Sequence, residues 1–152
     1  MESFGRRIVV DLPFERGLAE TIQALRDEGI DLDGRFDVGE YLDRTLHHDF
    51  RRYVLLEAVA PQLTLDALRH DLGIGAILPA TIAVFELADG ETAVIVSEPF
   101  GGLGSKPEWR QAAPSLAALA DQACDQLAHA LSRLQRGLRN ASRSPVTIEQ
   151  PA

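Results

Sequence analysis

The stretch that decides the fold is Leu72-Gly73-Ile74-Gly75-Ala76-Ile77-Leu78-Pro79-Ala80-Thr81-Ile82-Ala83-Val84-Phe85-Glu86. It predicts the end of a helix, a glycine-built turn, a proline stop and then a strand. Glycine after a helix is typical of a C-terminal cap. A dinucleotide-binding loop requires the opposite order, in which a strand precedes the glycines and a helix follows them. We therefore interpret the two glycines as a turn and not as a phosphate-binding loop.

Hydrophobic periodicity predicts the elements on both sides of this stretch. Strands are predicted at residues 8–10, 30–38, 52–60, 81–87 and 92–97, and helices at residues 14–29, 40–46, 61–72 and 115–138. The last two strands flank Asp89-Gly90, which is a strong hairpin signal. This order predicts an α+β domain at residues 1–139, with an antiparallel sheet of about five strands covered by helices mainly on one face and a long C-terminal helix. We expect residues 140–152 to form a disordered tail, because they are polar and interrupted by proline.

The segment from residue 30 to residue 38 alternates between apolar and polar side chains, which is typical of a strand with one buried face. Its apolar members are Ile30, Leu32, Phe36 and Val38. Gly34 interrupts them, and an isolated glycine in a strand is typical of a β-bulge. We predict that all four apolar side chains lie on one face.

Three other segments are interpreted from their apolar patterns. Residues 52–60 are apolar almost throughout, which is typical of a central strand covered on both faces. In the next helix, we expect Leu65, Leu68 and Leu72 to turn inward. The last helix carries an apolar stripe made of Leu116, Leu119, Ala120, Ala123, Leu127, Leu131, Leu134 and Leu138. Alanine permits close approach, so we expect part of this stripe to form a dimer interface.

Composition limits the classes of function. Residues 1–98 hold 19 acidic and 9 basic side chains, and such an acidic body would repel a phosphate backbone, so we expect no nucleic-acid binding. No apolar run has the length of a secretory signal or of a membrane span, so we expect a cytoplasmic protein that does not bind membranes. One cysteine excludes an internal disulfide.

Short motifs occur in a fixed order along the chain. They are Phe14 to Gly29 as the first helix, Phe36-Asp37-Val38, Tyr53-Val54-Leu55, Ala60-Pro61, Leu72-Gly73-Ile74-Gly75, Leu78-Pro79 and Glu98-Pro99. Together they resemble the prokaryotic domain-of-unknown-function family 302, from about Pro13 to Pro99 and including the final helix. The resemblance implies a compact α+β fold with a curved antiparallel sheet, and often a homodimer. It implies no agreed activity.

The chain departs from this family at two positions. Many members carry cysteines where this sequence has Val59 and Ala80. A thiolate acts as a nucleophile and as a soft metal ligand, and neither replacement can do so. Redox or metal chemistry by analogy with those relatives is therefore disfavoured, and we expect no metal and no cofactor.

Glu57 is the candidate catalytic residue. In a strand covered on both faces, its carboxylate would be either paired or held at a raised pKa, as a general acid or base requires. The partners considered for it are Arg51, Arg52, Arg69 and His70. Glu86 poses the same question more weakly.

Four residues are predicted to bind a ligand, namely Tyr53, Arg69, His70 and Trp109. Trp109 is close to the glycine-rich residues 100–105, which we interpret either as a mobile flap anchored by an aromatic residue or as an ordinary surface loop. Ser105 lacks the frame of a nucleophile elbow. Cys124 is interpreted as an inert thiol packed in the last helix.

His47-His48-Asp49 places three metal-binding residue types side by side. Adjacent histidines diverge on a helix or strand, so we interpret the segment as a solvated helix end and not as a metal site. The preferred hypothesis is a homodimeric module that binds a small molecule or a protein partner without catalysis. The alternative is a small hydrolase or isomerase that uses Glu57, and a metal protein is the weakest hypothesis.

Overall fold

The computed structural model describes residues 5–78, 80–88 and 90–143, and Pro79, Asp89 and the predicted tail beyond residue 143 lie outside the described residues. The elements in chain order are β1 (Arg6–Val10), α1 (Phe14–Asp27), β2 (Asp31–Asp37), α2 (Val38–Leu46), β3 (Tyr53–Val59), α3 (Pro61–His70), a 3₁₀ helix (Leu72–Ile77), β4 (Ala80–Ala88), β5 (Glu91–Val96), a second 3₁₀ segment (Pro99–Ser105), α4 (Pro107–Ala112) and α5 (Pro114–Arg143).

The five strands form one antiparallel sheet in the order β1-β5-β4-β3-β2. The strands β4 and β5 form the predicted hairpin, and Gly90 has the positive φ that a tight turn favours. The predicted α+β fold, with a five-stranded antiparallel sheet and a long C-terminal helix, is confirmed.

Helices α1 and α5 pack on one face of the sheet and form the main core with it. Sheet residues in this core are Val10, Val54, Leu56, Ala58, Ile82, Val84, Val94 and Val96. They meet α1 through Phe14, Leu18 and Leu25, and α5 through Leu127, Leu131 and Leu134. The apolar stripe of α5 therefore packs inside its own chain. This leaves the alanine-lined stripe little surface for the dimer interface expected there.

A second, smaller core joins α3, the two 3₁₀ segments and α5. Its buried members are Ala67, Ile74, Phe100, Leu116, Leu119 and Ala120. Both segments between residues 99 and 112 that the sequence indicated as loop are therefore short helical pieces packed on α5. This core fixes the position of residues 99–105 relative to the sheet.

The predicted side-chain pattern of β2 is wrong beyond its bulge. The bulge lies between Leu32 and Gly34, where the sequence indicated it. The extra residue shifts the alternation of side chains by one position. Residues with the same spacing pattern therefore face one side of the sheet before the bulge and the other side after it. Leu32 packs against the main core, whereas Phe36 lies on the other face and is 45% exposed.

The prediction that β3 is covered on both faces is also wrong within this chain. Val54, Leu56 and Ala58 are buried in the core, whereas the alternate residues Tyr53 and Leu55 are only half-buried. No helix of the described chain packs over that second face in the way that α1 and α5 cover the first.

Two of the three leucines predicted to turn inward from α3 do not do so. Leu68 is half-buried against the second core, but Leu65 is 45% exposed and Leu72 is 83% exposed. The reason is that α3 ends at His70, and the chain continues as a 3₁₀ helix with three residues per turn. The helical periodicity therefore does not extend to Leu72. At the other end of the chain, α5 continues to Arg143, so the first residues of the predicted tail are helical.

Candidate functional site

The predicted site residues lie in three separate places. Tyr53 and Glu57 are on the face of β3 that points away from the main core. Arg69 and His70 are exposed at the C-terminal end of α3, on the helical side of the sheet. Trp109 is half-buried in α4 against the second core. The structure therefore does not assemble these residues into one site.

Glu57 is exposed, in contrast to the covered position that its strand pattern indicated. Its carboxylate lies beside Gly34 on the neighbouring strand β2. Among the described residues, no ion pair or hydrogen bond is formed by the Glu57 side chain with any of its four candidate partners. Its role as a general acid or base remains a prediction.

The three arginines among the candidate partners are engaged elsewhere. The Arg51 side chain donates a hydrogen bond of 3.1 Å to the backbone oxygen of Glu86. Arg52 pairs with Glu15, and its guanidinium lies 4.8 Å from the centre of the Phe14 ring. Arg69 lies 3.8 Å from Asp66 on its own helix, where such an exposed pair contributes little. Arg51 and Arg52 therefore connect the segment before β3 to β4 and to α1, whereas Arg69 contacts only its own helix.

The sheet face opposite the main core, which we call the open face, is mainly apolar and also carries the charged side chains of Arg7 and Glu57. Strand register places its side chains in two adjacent rows across the sheet. One row consists of Val9, Ala93, Phe85 and Tyr53, and the next consists of Arg7, Ile95, Ala83, Leu55 and Phe36. Val9 at one edge is 47% exposed, and Phe36 at the other edge is 45% exposed. An exposed apolar surface of this extent is typical of an interaction site.

Aromatic contacts hold the open face in a defined geometry. The rings of Tyr53 and Phe85 stack with centres 5.0 Å apart and planes at 5°. Tyr41 from α2 meets Phe36 edge to face with centres 5.3 Å apart, and Phe50 lies 6.4 Å from Tyr53. Both Tyr41 and Phe50 are themselves about 40% exposed. The aromatic surface thus extends from the strands onto α2 and the segment that precedes β3.

A cleft of about 460 Å³ lies on the other side of the molecule, between the ends of β1 and β5, residues 99–105 and α5. This volume falls within the range of small-molecule sites, about 300–1,000 Å³. We call it the α5 cleft. Its lining includes Arg6, Val96, Ser97, Glu98, Pro99, Gly102, Gly104, Ser105, Asp121, Cys124 and Leu127.

Three consecutive residues in the left-handed region shape the wall of this cleft. Phe100 has φ 54°, Gly101 has φ 61° and Gly102 has φ 77°. The left-handed region is strained for a bulky residue and open to glycine. Burial compensates for the strain at Phe100, whose side chain is 2% exposed in the second core. The aromatic anchor of this segment is therefore Phe100, in addition to the predicted Trp109.

Arg110 ties the same segment to α5. Its guanidinium donates two hydrogen bonds to the Asp121 carboxylate, of 2.9 and 2.7 Å, and a third to the backbone oxygen of Gly104. The hydrogen bond from Arg110, and then its charge, hold the pKa of Asp121 below its ordinary value. The same contact raises the pKa of Arg110. Asp121 is thus an ionised and neutralised member of the cleft wall.

Cys124 is exposed beside this cleft. The sequence interpretation, in which this thiol is packed in the last helix, is therefore wrong. Partial desolvation is the main cause that raises the pKa of its thiol, and the negative charge of Glu98 raises that pKa further. The positive charge of Arg6 acts in the opposite direction. Because a thiol with a raised pKa is neutral near pH 7, Cys124 lacks the thiolate character of a nucleophile.

The histidine segment ends α2. His47 is the cap residue, with φ 51°, and both histidines are exposed. Over residues 5–78, 80–88 and 90–143, no three His, Cys, Asp or Glu side chains form a group that could hold a metal ion. Within the same residues, no helix is both long enough and apolar enough to cross a membrane.

Comparison with known proteins shows to which family this chain belongs. The family model described as "Domain of unknown function DUF302" matches residues 7–134. The chain belongs to the DUF302 family. The match confirms the resemblance. It begins six residues before Pro13, and it covers most of α5, the final helix that the resemblance included.

A solved structure of another DUF302 protein has the same fold. It is the uncharacterized conserved protein DUF302 from Bacillus stearothermophilus, which is 25% identical and superposes with a TM-score of 0.73. The similarity covers 88% of this chain and 99% of that chain. Among the curated proteins, none is significantly similar to this chain. The comparisons therefore establish the family and the fold and name no activity.

Proposed function

We propose that this DUF302 protein is a homodimeric binding module without catalysis. In this proposal, the open faces of two copies pack against each other, and the α5 cleft of each copy receives a small ligand. The observation that supports it most is the open face itself. Two rows of mainly apolar side chains cross a sheet whose other face is already covered by α1 and α5.

The pattern of β3 favours a second copy as the occupant of this face. Strands buried on both faces have nearly continuous apolar sequences, and β3 has such a sequence apart from Glu57. Its own chain covers only the face that carries Val54, Leu56 and Ala58. A second sheet packed on Tyr53 and Leu55 would cover the other face, as in a sandwich of two sheets.

The area of the open face also suits a dimer. Five strands spaced about 4.8 Å apart, with five to nine residues each that rise about 3.3 Å per residue, give a face of roughly 500 Å². Tyr41 and Phe50 extend this surface beyond the strands. A stable interface buries at least about 600 Å² per partner. The open face with this extension reaches the lower end of that range.

Paired surface variants test the dimer. The double variant Val9→Lys with Phe36→Lys places one charge at each edge of the open face, at side chains that are already partly exposed. We expect the dimer dissociation constant to rise about 100-fold or more, because each residue occurs twice in a symmetric interface and the added charges become desolvated. Sedimentation velocity at several micromolar concentrations measures the change.

The matched control is Leu65→Lys with Leu72→Lys. These leucines are at least as exposed as the first pair but lie on α3 and the first 3₁₀ helix. We expect this variant to remain a dimer, like the wild type. A wild-type protein that is monomeric at these concentrations overturns the proposal, and so does a dimer that only the control variant dissociates.

A further inference from the structure

Two opposite charges face the α5 cleft without neutralising each other. The side chains are Arg6, near the start of β1, and Glu98, two residues beyond the end of β5. Among the described residues, neither takes part in an ion pair with the other or with a third side chain, whereas the Asp121 carboxylate in the same wall is neutralised by Arg110. Among the described residues of the cleft, Arg6 is a cation and Glu98 an anion without an ion-pair partner.

Strand pairing places the two charges at the same end of the cleft. Arg6 is paired with Val96 in the sheet, Glu98 follows Val96 by two residues, and both residues line the cleft. Each charge would attract the opposite charge of a bound molecule more strongly in this partly enclosed cleft than on an open surface. A ligand that carries both charges on neighbouring atoms matches this arrangement.

The remaining lining indicates the rest of the ligand. Val96, Pro99 and Leu127 supply an apolar wall, which suits a short aliphatic side chain. Among the lining residues that the structure describes, none is aromatic, whereas quaternary ammonium groups are typically held by aromatic cages. A primary ammonium, which can donate hydrogen bonds to a carboxylate, fits Glu98 better.

Resting on the small-ligand part of the proposed function, we propose that the α5 cleft binds a free α-amino acid with an apolar side chain. Its ammonium group contacts the Glu98 carboxylate, its carboxylate contacts the Arg6 guanidinium, and its side chain lies on the wall formed by Val96 and Leu127. Gly102 and Gly104 line the cleft as well, and a Cβ at Gly102 would lie 2.9 Å from a carboxylate oxygen of Glu98, so glycine at this position leaves space for that carboxylate.

The first measurement is a thermal-shift screen of the 152-residue chain against the twenty common L-amino acids. We expect the apolar aliphatic members, represented by L-leucine, to raise the melting temperature. Calorimetric titration then compares L-leucine with L-leucinamide, which lacks the carboxylate, and with N-acetyl-L-leucine, which lacks the ammonium. Each derivative should bind at least about tenfold more weakly, since a charge-assisted hydrogen bond contributes about 1.5–3 kcal/mol.

Charge-removing variants assign the two contacts. Arg6→Gln should abolish the preference for L-leucine over L-leucinamide, and Glu98→Gln should abolish the preference for L-leucine over N-acetyl-L-leucine. The matched control for the first is Arg7→Gln, because strand alternation places the next side chain of β1 on the opposite face. The control for the second is Glu91→Gln, which is exposed at the other end of β5. Both controls should retain the wild-type preferences.

Two outcomes overturn the inference. One is the absence of binding by any of the twenty amino acids, and the other is binding that Arg6→Gln and Arg7→Gln weaken equally. Native mass spectrometry of protein purified from cells separates this failure from that of the proposed function. A bound mass of another chemical class leaves a ligand-binding module in place, whereas a dimer that carries no ligand contradicts the ligand-binding part as well.

Discussion

Cys124 reports on the charges that face the α5 cleft. It is the single cysteine of the chain, so alkylation of the protein measures its thiolate directly. Partial desolvation and the charge of Glu98 raise its pKa above the ordinary value of 9.0, and Arg6 lowers it. We therefore expect slow alkylation by iodoacetamide at pH 8, faster reaction in Glu98→Gln and slower reaction in Arg6→Gln.

The pH dependence of the alkylation rate distinguishes this effect from a change in access to the thiol. A change in pKa moves the midpoint of the rate profile, whereas a change in access alters its plateau and leaves the midpoint in place. Glu91→Gln is the control and should leave both unchanged. Equal midpoints in all four proteins would contradict the placement of Arg6 and Glu98 around the cleft.

The pair of Arg110 and Asp121 makes an acid-dependent contribution to stability. Because the folded-state pKa of Asp121 lies below its ordinary value of 3.8, the pair stabilises the native state above pH 3.8. This contribution is lost as the pH falls through the folded-state pKa, when the carboxylate takes up a proton in both states. Asp121→Asn should therefore melt at a lower temperature than the wild type at pH 6, and the difference should disappear at strongly acid pH.

The neighbouring carboxylate supplies the control for this prediction. Asp125→Asn changes an exposed residue one helical turn further along α5 that forms no ion pair among the described residues. We expect its melting temperature to follow that of the wild type at both pH values. If the melting temperature of Asp121→Asn stays equally far below that of the wild type in acid, the substitution acts through packing and not through loss of the ion pair.

At the scale of elements, α1 packs on the sheet through a glycine. A Cβ at Gly17 would lie 2.8 Å from the side chain of Thr92, which is fully buried and donates a hydrogen bond to the backbone oxygen of Leu12. Gly17→Ala should therefore destabilise the protein by about 1–2 kcal/mol, since overpacking costs about 1–3 kcal/mol and alanine returns up to about 1 kcal/mol of helix propensity.

Gly137→Ala is the matched substitution in α5. A Cβ at Gly137 meets no atom within 4 Å, so the substitution changes stability only through the higher helix propensity of alanine. We expect it to stabilise the protein by about 0.5–1 kcal/mol. Urea unfolding of both variants at one protein concentration measures the two effects, because dimer formation makes stability depend on concentration. If Gly17→Ala and Gly137→Ala changed the free energy of unfolding in the same direction, the close packing of α1 on β5 would be contradicted.

The order of the elements could be predicted from the sequence because each one has a local signal. Pro13 precedes the first turn of α1 and Pro61 begins α3, and each of the five strands overlaps a segment that the alternating or continuous apolar residues indicated. The α2 cap is local as well, since the Asp37 side chain accepts a hydrogen bond of 2.9 Å from the Glu40 amide.

It was harder to predict which face of each element is buried, because this depends on contacts between residues that are distant in the sequence. A single extra residue at the bulge sends Phe36 to the open face, and the sequence gives the position of that bulge but not its effect on the following alternation. The apolar pattern of β3 indicated cover on both sides. A sequence does not distinguish cover by the same chain from cover by another chain.

The candidate site was not predictable for a similar reason. Arg6, Glu98 and Asp121 are separated along the chain by up to 115 positions, and no short motif joins them. They meet because β1 and β5 pair in the sheet while α5 returns along residues 99–105. The predicted residues Arg69, His70 and Trp109 were chosen for their residue types, and the fold distributes them over α3 and α4.

At the scale of the whole molecule, the two surfaces have different chemistry and lie on opposite sides of the sheet. The open face is mainly apolar and aromatic, which suits contact with another protein surface. The α5 cleft combines charges with an apolar wall, which suits a small ligand. A dimer built on the open face would leave both clefts accessible at its outer sides, so the two proposed activities are compatible.

Native mass spectrometry of the gently purified protein tests the dimer most directly. The account predicts a folded species with twice the 16.6 kDa mass of the chain at micromolar concentration. The variant with Val9→Lys and Phe36→Lys should give the single-chain mass under the same conditions. A wild-type spectrum that contains only the single-chain mass would contradict the proposal that the open face is an interface between two copies.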